Sequence, residues 1–286
     1  MKKLIVLLLT FVMAFSMTAC GKKTDNKVGT DSGTPTKSAD KAEPTTAPKK
    51  EKLKLGTSAD YPPFEFIVLD DAGKQQYAGI DISLAKKLAE DQGKELEVVN
   101  MSFDNLMASL QKGDIDVVIA AIEADDKRRE AADFSDPYYT DLPPMVLVRA
   151  EDASKYTSMD SFKGKTVGAQ TATTKAEIVT KDMKGAKLLA ISSVTDLVNN
   201  LIYKKCDAIV LDGAVAQQYA DTNKELKIPE VKLGEAAPYA VAVQKGDPKK
   251  LLDSLNKTIA TITTDGSIDN WTKEANDLSD KAVKTD

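Results

Sequence analysis

A helix followed by an apolar strand occurs twice in this chain, and this repeat limits the possible folds more than any other pattern. The strand at 115–122 is apolar on both faces apart from Asp116, as expected of an interior strand in a parallel sheet. The two units align without a gap, and four pairs of positions match: Leu106 with Leu197, Leu110 with Leu201, Asp116 with Asp207, and Ile119 with Val210. Strands alternating with helices predict an α/β fold, and the repeat predicts two related lobes.

The other elements indicate where each lobe begins and ends. Strand and helix patterns start near Lys52, and a helical tail with regularly spaced leucines and isoleucines closes the chain. We expect this tail to pack on the first lobe, so the chain must cross between the lobes twice. The predicted segments are residues 51–143 and 242–286 for the first lobe, 144–241 for the second lobe, and about 144–148 and 237–241 for two hinge strands.

The first 20 residues have the pattern of an export signal. Two lysines precede an apolar run that ends near Met17 and is short for a membrane span. The segment Thr18-Ala19-Cys20 resembles a bacterial lipobox, in which Cys20 carries a lipid that anchors the protein to the membrane. A transmembrane anchor is the alternative. Residues 21–50 contain few large apolar side chains and predict a flexible tether.

The composition excludes several kinds of chemistry. The chain has no histidine, so Ser-His triads, Cys-His pairs and histidine-ligated metal sites cannot form. Its 39 basic and 44 acidic residues give a formal net charge of −5, and no basic stripe or aromatic platform suggests nucleic acid. We therefore expect a monomer that needs neither a cofactor nor a metal.

Arginine is rare in this chain and is placed where a ligand could meet it. Only Arg128, Arg129 and Arg149 occur, and two of these follow the end of the strand at 115–122. The planar guanidinium can hold a carboxylate through two parallel hydrogen bonds, which a lysine cannot do. An ordinary solvated helix start is the alternative interpretation.

The ends of the other predicted strands contribute the remaining candidate ligand-binding residues. Ligands of open α/β sheets bind beyond the carboxyl ends of the strands. Thr173 and Thr174 begin a helix whose free N–H groups favour a carboxylate, whereas Asp212 suits an ammonium. Tyr61 and Phe103 can flank whatever lies between them. These groups together fit a zwitterionic α-amino acid.

The chain resembles a known family of receptors over about residues 52–275. Five motifs carry the resemblance in order: TSADYPPFE at 57–65, GIDI at 79–82, Arg128 with DFSDPYY at 133–139, VGAQ at 167–170, and Asp207-Ala208 with Asp212. They are similar to the polar amino acid-binding receptors of ABC importers, solute-binding family 3. The resemblance implies a two-lobed, hinged periplasmic-binding-protein fold of type II, with the ligand cleft between the lobes.

The resemblance also implies how the head group of the ligand is held. Arg128 matches the arginine that clamps the α-carboxylate of the ligand. Thr173 and Thr174 match the hydroxyl and N–H contacts that the second lobe makes to the same carboxylate. Asp212 matches the residue that takes the α-ammonium.

Other positions match the surroundings of the ligand side chain. Tyr61 and Phe103 correspond to the apolar walls that stack on it. Ser58 stands where some receptors for basic amino acids have an aspartate, so that anchor is missing. Ala121, in the strand end before Glu123, belongs to the same predicted ligand-binding set.

Two departures from the family pattern affect these predictions. Ala172 replaces a customary glycine, which questions the backbone path of its loop. Glu123 stands where a serine or threonine usually helps to hold the α-ammonium. It either faces the cleft, or turns outward, or pairs with a neighbouring lysine or with Arg128. If Glu123 faces the cleft, two acids oppose one arginine, which disfavours glutamate and aspartate and favours arginine, lysine or neutral polar amino acids.

The predicted function is therefore capture of a free amino acid and its delivery to the transmembrane subunits of an ABC permease. Two alternatives remain open. An enzyme similar to cyclohexadienyl or arogenate dehydratases has the same fold, and Glu123 could then serve as a general acid. A surface adhesin or sensor would also suit a lipid anchor.

Overall fold

The computed structural model describes residues 50–279. The predicted export signal at 1–20, the lipidation of Cys20 and, apart from Lys50, the tether at 21–50 lie outside the described residues. Among residues 50–279, no helix is both long enough and apolar enough to cross a bilayer.

The first lobe contains a five-stranded sheet and a small three-stranded sheet. Its first seven strands are β1 (Lys52–Thr57), β2 (Asp60–Tyr61), β3 (Glu65–Leu69), β4 (Gln75–Ala78), β5 (Glu95–Asn100), β6 (Val117–Val118) and β7 (Ala132–Thr140). Its first three helices are α1 (Ile80–Asp91), α2 (Phe103–Lys112) and α3 (Asp126–Ala131). Leucines on one face of α1 and of α2 are fully buried, which explains why these sequences form helices that pack on the sheet.

The second lobe contains another five-stranded sheet. Its strands are β8 (Met145–Arg149), β9 (Thr166–Gln170), β10 (Lys187–Ile191), β11 (Ala208–Leu211) and β12 (Leu226–Lys227). Its α-helices are α4 (Thr174–Lys181), α5 (Val194–Ile202) and α6 (Gly213–Thr222), and two 3₁₀ segments cover Ala150–Lys155 and Met159–Phe162.

The chain then returns to the first lobe. The returning elements are β13 (Pro238–Gln244), α7 (Leu252–Ile262) and α8 (Ser267–Ser279). The strand orders are β5-β1-β6-β13-β7 in the first sheet and β10-β9-β11-β8-β12 in the second. In each sheet three parallel strands are followed by an antiparallel strand, so the two lobes share one arrangement.

The internal repeat is also visible in the hydrogen bonding. Oδ2 of Asp116 accepts the backbone N–H of Lys54 at 2.8 Å, and Oδ2 of Asp207 accepts that of Thr166 at the same distance. Each aspartate lies just before the third parallel strand of its sheet and binds the neighbouring strand. The matched aspartates therefore have the same structural task in both lobes.

The hinge strands differ from the prediction. β8 pairs with β11 and β12, and β13 pairs with β6 and β7, so each strand belongs to one sheet. The chain crosses between the lobes at 141–144 and 234–237 instead, because Val231 and Leu233 still pack with the apolar core of the second lobe. β13 lies in the first lobe. The apolar residues of both segments identify them as strands, but which sheet a strand joins depends on partners that are distant in sequence.

Candidate ligand-binding site

The carboxyl ends of four parallel strands position the site. On the first lobe the site follows β1 and β6, and on the second lobe it follows β9 and β11. The residues beyond these ends line a cavity of about 10 Å³ between the lobes. The lining residues are Ser58, Tyr61, Glu65, Phe103, Ala120, Ala121, Glu123, Arg128, Gln170, Thr173, Lys175 and Asp212.

Eight of the nine predicted ligand-binding residues line this cavity, and their roles toward a ligand stay predictions. The exception is Thr174, whose buried Oγ1 has no hydrogen-bond partner in the part of the chain that the structure describes. The hydroxyl of Thr173 donates to the carbonyl of Gln170 at 2.7 Å and accepts the N–H of Ala176 at 3.3 Å. It therefore caps α4, which leaves the other N–H groups of the first turn for a ligand.

Arg128 is fixed at the cavity by residues just before its helix and by the second lobe. Its backbone N–H is held by the capping carboxylate of Asp125 at 2.7 Å. Its guanidinium donates to the carbonyls of Glu123 at 2.9 Å and, across the cleft, of Ala172 at 3.1 Å. Its Cζ lies 5.3 Å from the ring centre of Phe103. A guanidinium has five N–H donors, so this arrangement leaves donors for a carboxylate.

Two alanines, one in the cavity lining and one beside it, have left-handed backbone conformations. Ala172 has a φ of 63°, so the chain follows a path that glycine adopts easily, although the customary glycine is replaced. Ala121 has a φ of 46°, and its N–H donates to the carboxylate of Asp81 at 2.7 Å. Tertiary contacts at both positions hold a backbone conformation that alanine alone disfavours.

Asp212 makes its side-chain contacts inside the cavity. It caps α6 by position, yet its carboxylate makes no hydrogen bond to that helix. Instead it accepts the hydroxyl of Tyr61 at 2.5 Å and the ammonium of Lys175 at 2.5 Å. Burial, and then the negative charge of Asp212, raise the pKa of Tyr61 well above its ordinary value, so Tyr61 stays a donor. Tyr61 thus contributes a polar contact between the lobes as well as the predicted wall.

Glu123 faces the cavity and forms ion pairs at the same time. It is 8% exposed, its Oε1 lies 3.1 Å from Nζ of Lys175, and its Oε2 lies 3.9 Å from Nη1 of Arg128. The inward position and the pairing with a lysine and an arginine, stated above as alternatives, therefore occur together. The expectation that two acids oppose one arginine is wrong, because it omitted Lys175.

Lys175 is the main cavity residue that the sequence interpretation missed. It is the second residue of α4 and directly follows the two threonines assigned to the ligand. A lysine in the first turn of a helix lies at the unfavourable, positive end of the helix dipole. This unfavourable position is the signal in the sequence that could have identified Lys175 as the partner of acidic residues in other parts of the chain.

Glu65 also lines the cavity, where its surroundings favour the protonated carboxyl. Its carboxyl is hydrogen-bonded to Asp81, and burial followed by the charge of Asp81 raises the pKa of Glu65 well above its ordinary value. Burial raises the pKa of Asp81 to about 6. The ion-paired groups that line the cavity are two acids and two bases, Glu123 and Asp212 against Arg128 and Lys175.

Comparison with known proteins agrees with this geometry. Residues 53–275 match the bacterial extracellular solute-binding proteins, family 3. The chain is 32% identical over 280 residues to the arginine-binding extracellular protein ArtP of Bacillus subtilis strain 168, covering 96% of this chain and 98% of ArtP. It is 29% identical over 220 residues to ABC transporter arginine-binding protein 1 of Escherichia coli strain K12, covering 76% and 87% of the two chains.

A solved structure shows the same fold. The amino acid ABC transporter substrate-binding protein AbpA of Streptococcus pneumoniae, in a crystal structure with bound L-arginine, superposes with a TM-score of 0.76 and 32% sequence identity. The superposition covers 80% of this chain and 95% of AbpA. The predicted two-lobed fold is confirmed by this likeness and by the family match. The chain belongs to family 3 of the bacterial extracellular solute-binding proteins.

Proposed function

We propose that this chain is the substrate-binding receptor of an ABC importer and captures a polar L-amino acid outside the cytoplasm. The observation that carries the proposal is the placement of Arg128 and Asp212 on facing lobes of one cavity. A guanidinium and a carboxylate match the carboxylate and the ammonium of a zwitterionic amino acid. Membership of an extracellular solute-binding family supports the location.

Arginine or lysine is the expected ligand. The two relatives and the solved structure named above bind arginine according to their names and descriptions. Two carboxylates at the cavity, those of Glu123 and Asp212, can accept positive groups, while Tyr61 and Phe103 flank the aliphatic part of the side chain.

Binding proceeds by hinged closure. The ligand docks first on the open first lobe, where Arg128 takes the α-carboxylate. Rotation of the second lobe then brings the N–H groups at the start of α4 and the carboxylate of Asp212 onto the head group. The closed complex presents both lobes to the transmembrane subunits of the permease. A lipid on Cys20 and the tether at 21–50 would keep the receptor close to them.

Calorimetric titration of the purified protein with L-arginine, L-lysine, L-glutamine, L-cystine and L-glutamate tests this proposal. We expect binding of arginine or lysine in preference to the neutral amino acids. Tight binding of glutamate would contradict the ligand class, and no binding of any amino acid would contradict the receptor function. Incubation with prephenate or arogenate checks the alternative enzyme, and turnover of either would replace the proposal.

A further inference from the structure

The cavity contains an ammonium group that the chain itself supplies. Nζ of Lys175 lies 2.5 Å from Oδ1 of Asp212 and 3.1 Å from Oε1 of Glu123. Glu123 belongs to the first lobe and Asp212 to the second, so the two carboxylates form an ammonium-binding site that is completed across the cleft. Lys175 is only 5% exposed, and Glu123 and Asp212 are 8% and 5% exposed. Paired charges this deeply buried have specific partners, because leaving either partner unpaired is costly.

The charge of Lys175 is maintained by these acids and not by its own helix. Its place in the first turn of α4 opposes the helix dipole. Burial by itself lowers the pKa of Lys175, but the attraction of Asp212 and then of Glu123 outweighs burial, and the pKa is raised. An ammonium is therefore the species that this pair of carboxylates binds.

We propose that Lys175 competes with the α-ammonium group of the ligand for Glu123 and Asp212. This inference rests on the proposed function, because it requires an amino acid in this cavity. The α-ammonium of the ligand replaces the ammonium of Lys175, whose side chain leaves the cavity when the ligand enters.

The size of the cavity is a second observation that supports this exchange. A volume of about 10 Å³ is enough for roughly one water molecule. An amino acid is much larger, so it fits only if side chains that now fill the space move. Lys175 can do so, because its long aliphatic stem lets the ammonium reach solvent when the lobes separate.

The exchange also explains a preference for cationic ligands. When Lys175 leaves, Arg128 alone opposes the carboxylates of Glu123 and Asp212, and the site carries one uncompensated negative charge. An amino acid with a cationic side chain restores the balance, a neutral one leaves one negative charge, and an acidic one leaves two. Since uncompensated buried charge is costly, the two carboxylates that Lys175 vacates make the cleft select arginine or lysine.

Lys175→Met tests the competition, because methionine keeps an unbranched side chain but removes the charge. Calorimetry with L-arginine is expected to show binding at least about tenfold tighter than in the wild type, the size expected for one close ion pair. Lys175→Arg keeps a cation and is expected to bind arginine no more tightly than the wild type. Weaker binding of arginine by Lys175→Met would overturn the proposal, since Lys175 would then be a ligand contact.

For a ligand without an α-amino group, we expect Lys175→Met to change the binding affinity in the opposite direction. The probe is 5-guanidinopentanoate, which has the shape of arginine but lacks that group, so Lys175 can stay between the two carboxylates. We expect Lys175→Met to weaken binding of this probe while it strengthens binding of arginine. Equal gains for both compounds would overturn the proposal.

Two further measurements keep the test decisive. Lys181→Met removes an exposed lysine from the same helix, one paired with Glu177, and is expected to change neither affinity. If Lys175→Met does not fold, the wild type alone suffices: the probe is expected to bind less than about tenfold more weakly than arginine, because Lys175 replaces the missing ammonium. A larger loss would overturn the proposal. A wild type that binds no amino acid would instead overturn the proposed function.

Discussion

Arg128 shows how single side chains hold the site together. Its guanidinium contacts the loop before its helix, the aromatic ring of Phe103 and the carbonyl of Ala172 on the other lobe. Arg129, the next residue, donates from Nε to the carbonyl of Ala124 at 2.8 Å on the exposed side of the same helix. Two consecutive positions of this short helix thus place one arginine at the cavity and the other at the surface.

Arg128→Ala is expected to weaken amino acid binding by at least about 30-fold, because a buried charge on the ligand would lose its partner. Titration calorimetry measures the loss, and circular dichroism checks that the fold is intact. Arg129→Ala is the matched control and should bind as the wild type does. Unchanged affinity in Arg128→Ala would remove Arg128 from its role as the carboxylate clamp.

Asp141 is a second residue whose surroundings have a measurable consequence. It lies where the chain first crosses between the lobes, and it accepts the hydroxyl of Tyr239 at 2.9 Å and the N–H of Ala214 at 3.2 Å. Burial, and next the charge of Asp212, raise the pKa of Asp141 from 3.8 to about 6. The folded state therefore favours the protonated carboxyl.

Asp141→Asn should change how stability depends on pH. An acid whose pKa is raised by folding stabilises the fold at low pH, and this contribution is lost as the pH rises from about 4 to about 6. The free energy of unfolding of Asp141→Asn, measured against the wild type with urea, should rise over that range by up to about 1.4 kcal/mol per pH unit. A constant difference between the two proteins would show that Asp141 does not titrate there.

At the scale of elements, the start of α1 depends on one backbone conformation. Gly79 precedes α1 with a φ of 119° and a ψ of 173°, a combination that is essentially restricted to glycine. A Cβ at this position would lie 2.0 Å from the carbonyl oxygen of Phe64. The close approach sets the angle at which α1 leaves the small sheet and packs on β1 and β5.

Gly79→Ala is expected to destabilise the protein by about 3 kcal/mol or more, because strain and a backbone clash add together. Gly73→Ala is the matched control. Gly73 also has a positive φ, of 75°, but no atom lies within 4 Å of an added Cβ, so its cost should be about 1 kcal/mol. Equal losses in urea unfolding would show that the contact with Phe64 is unimportant.

At the scale of the whole molecule, a few polar contacts join the lobes around the cavity. Besides the contacts of Tyr61, Arg128 and Lys175, the carboxylate of Asp60 on the first lobe accepts the N–H of Val194 at the start of α5 at 2.7 Å. Asp60 is not among the residues that line the cavity. It can therefore stabilise closure without contact to a ligand.

Asp60→Ala should weaken ligand binding roughly fivefold, the value of about one capping hydrogen bond, through faster dissociation. Stopped-flow release of the ligand measures this rate, and small-angle scattering should show that saturating ligand still compacts the variant. Asp114→Ala, at an exposed position of the first lobe, is the control and should change neither quantity. An unchanged dissociation rate would mean that the contact to α5 does not hold the closed form.

Much of the site could be predicted because each residue follows a recognisable strand. Asp212 comes directly after an apolar strand and Arg128 a short loop after another, and ligands bind beyond the carboxyl ends of such strands. Lys175 was missed because its partners are distant in sequence: Glu123 lies 52 residues before it and Asp212 lies 37 residues after it. The direction in which the side chain of Glu123 points likewise depends on these contacts, and no local sequence pattern predicts it.

The sequence by itself determined the α/β class, the two related lobes, the family and most residues at the strand ends, because periodicity and motif order are local properties. Only the tertiary structure decided which sheet β8 and β13 join, and that Lys175 balances the charge of the cavity. Both depend on which distant segments become neighbours. The charge of a site is a sum over groups from both lobes, so it is fixed only when the lobes come together.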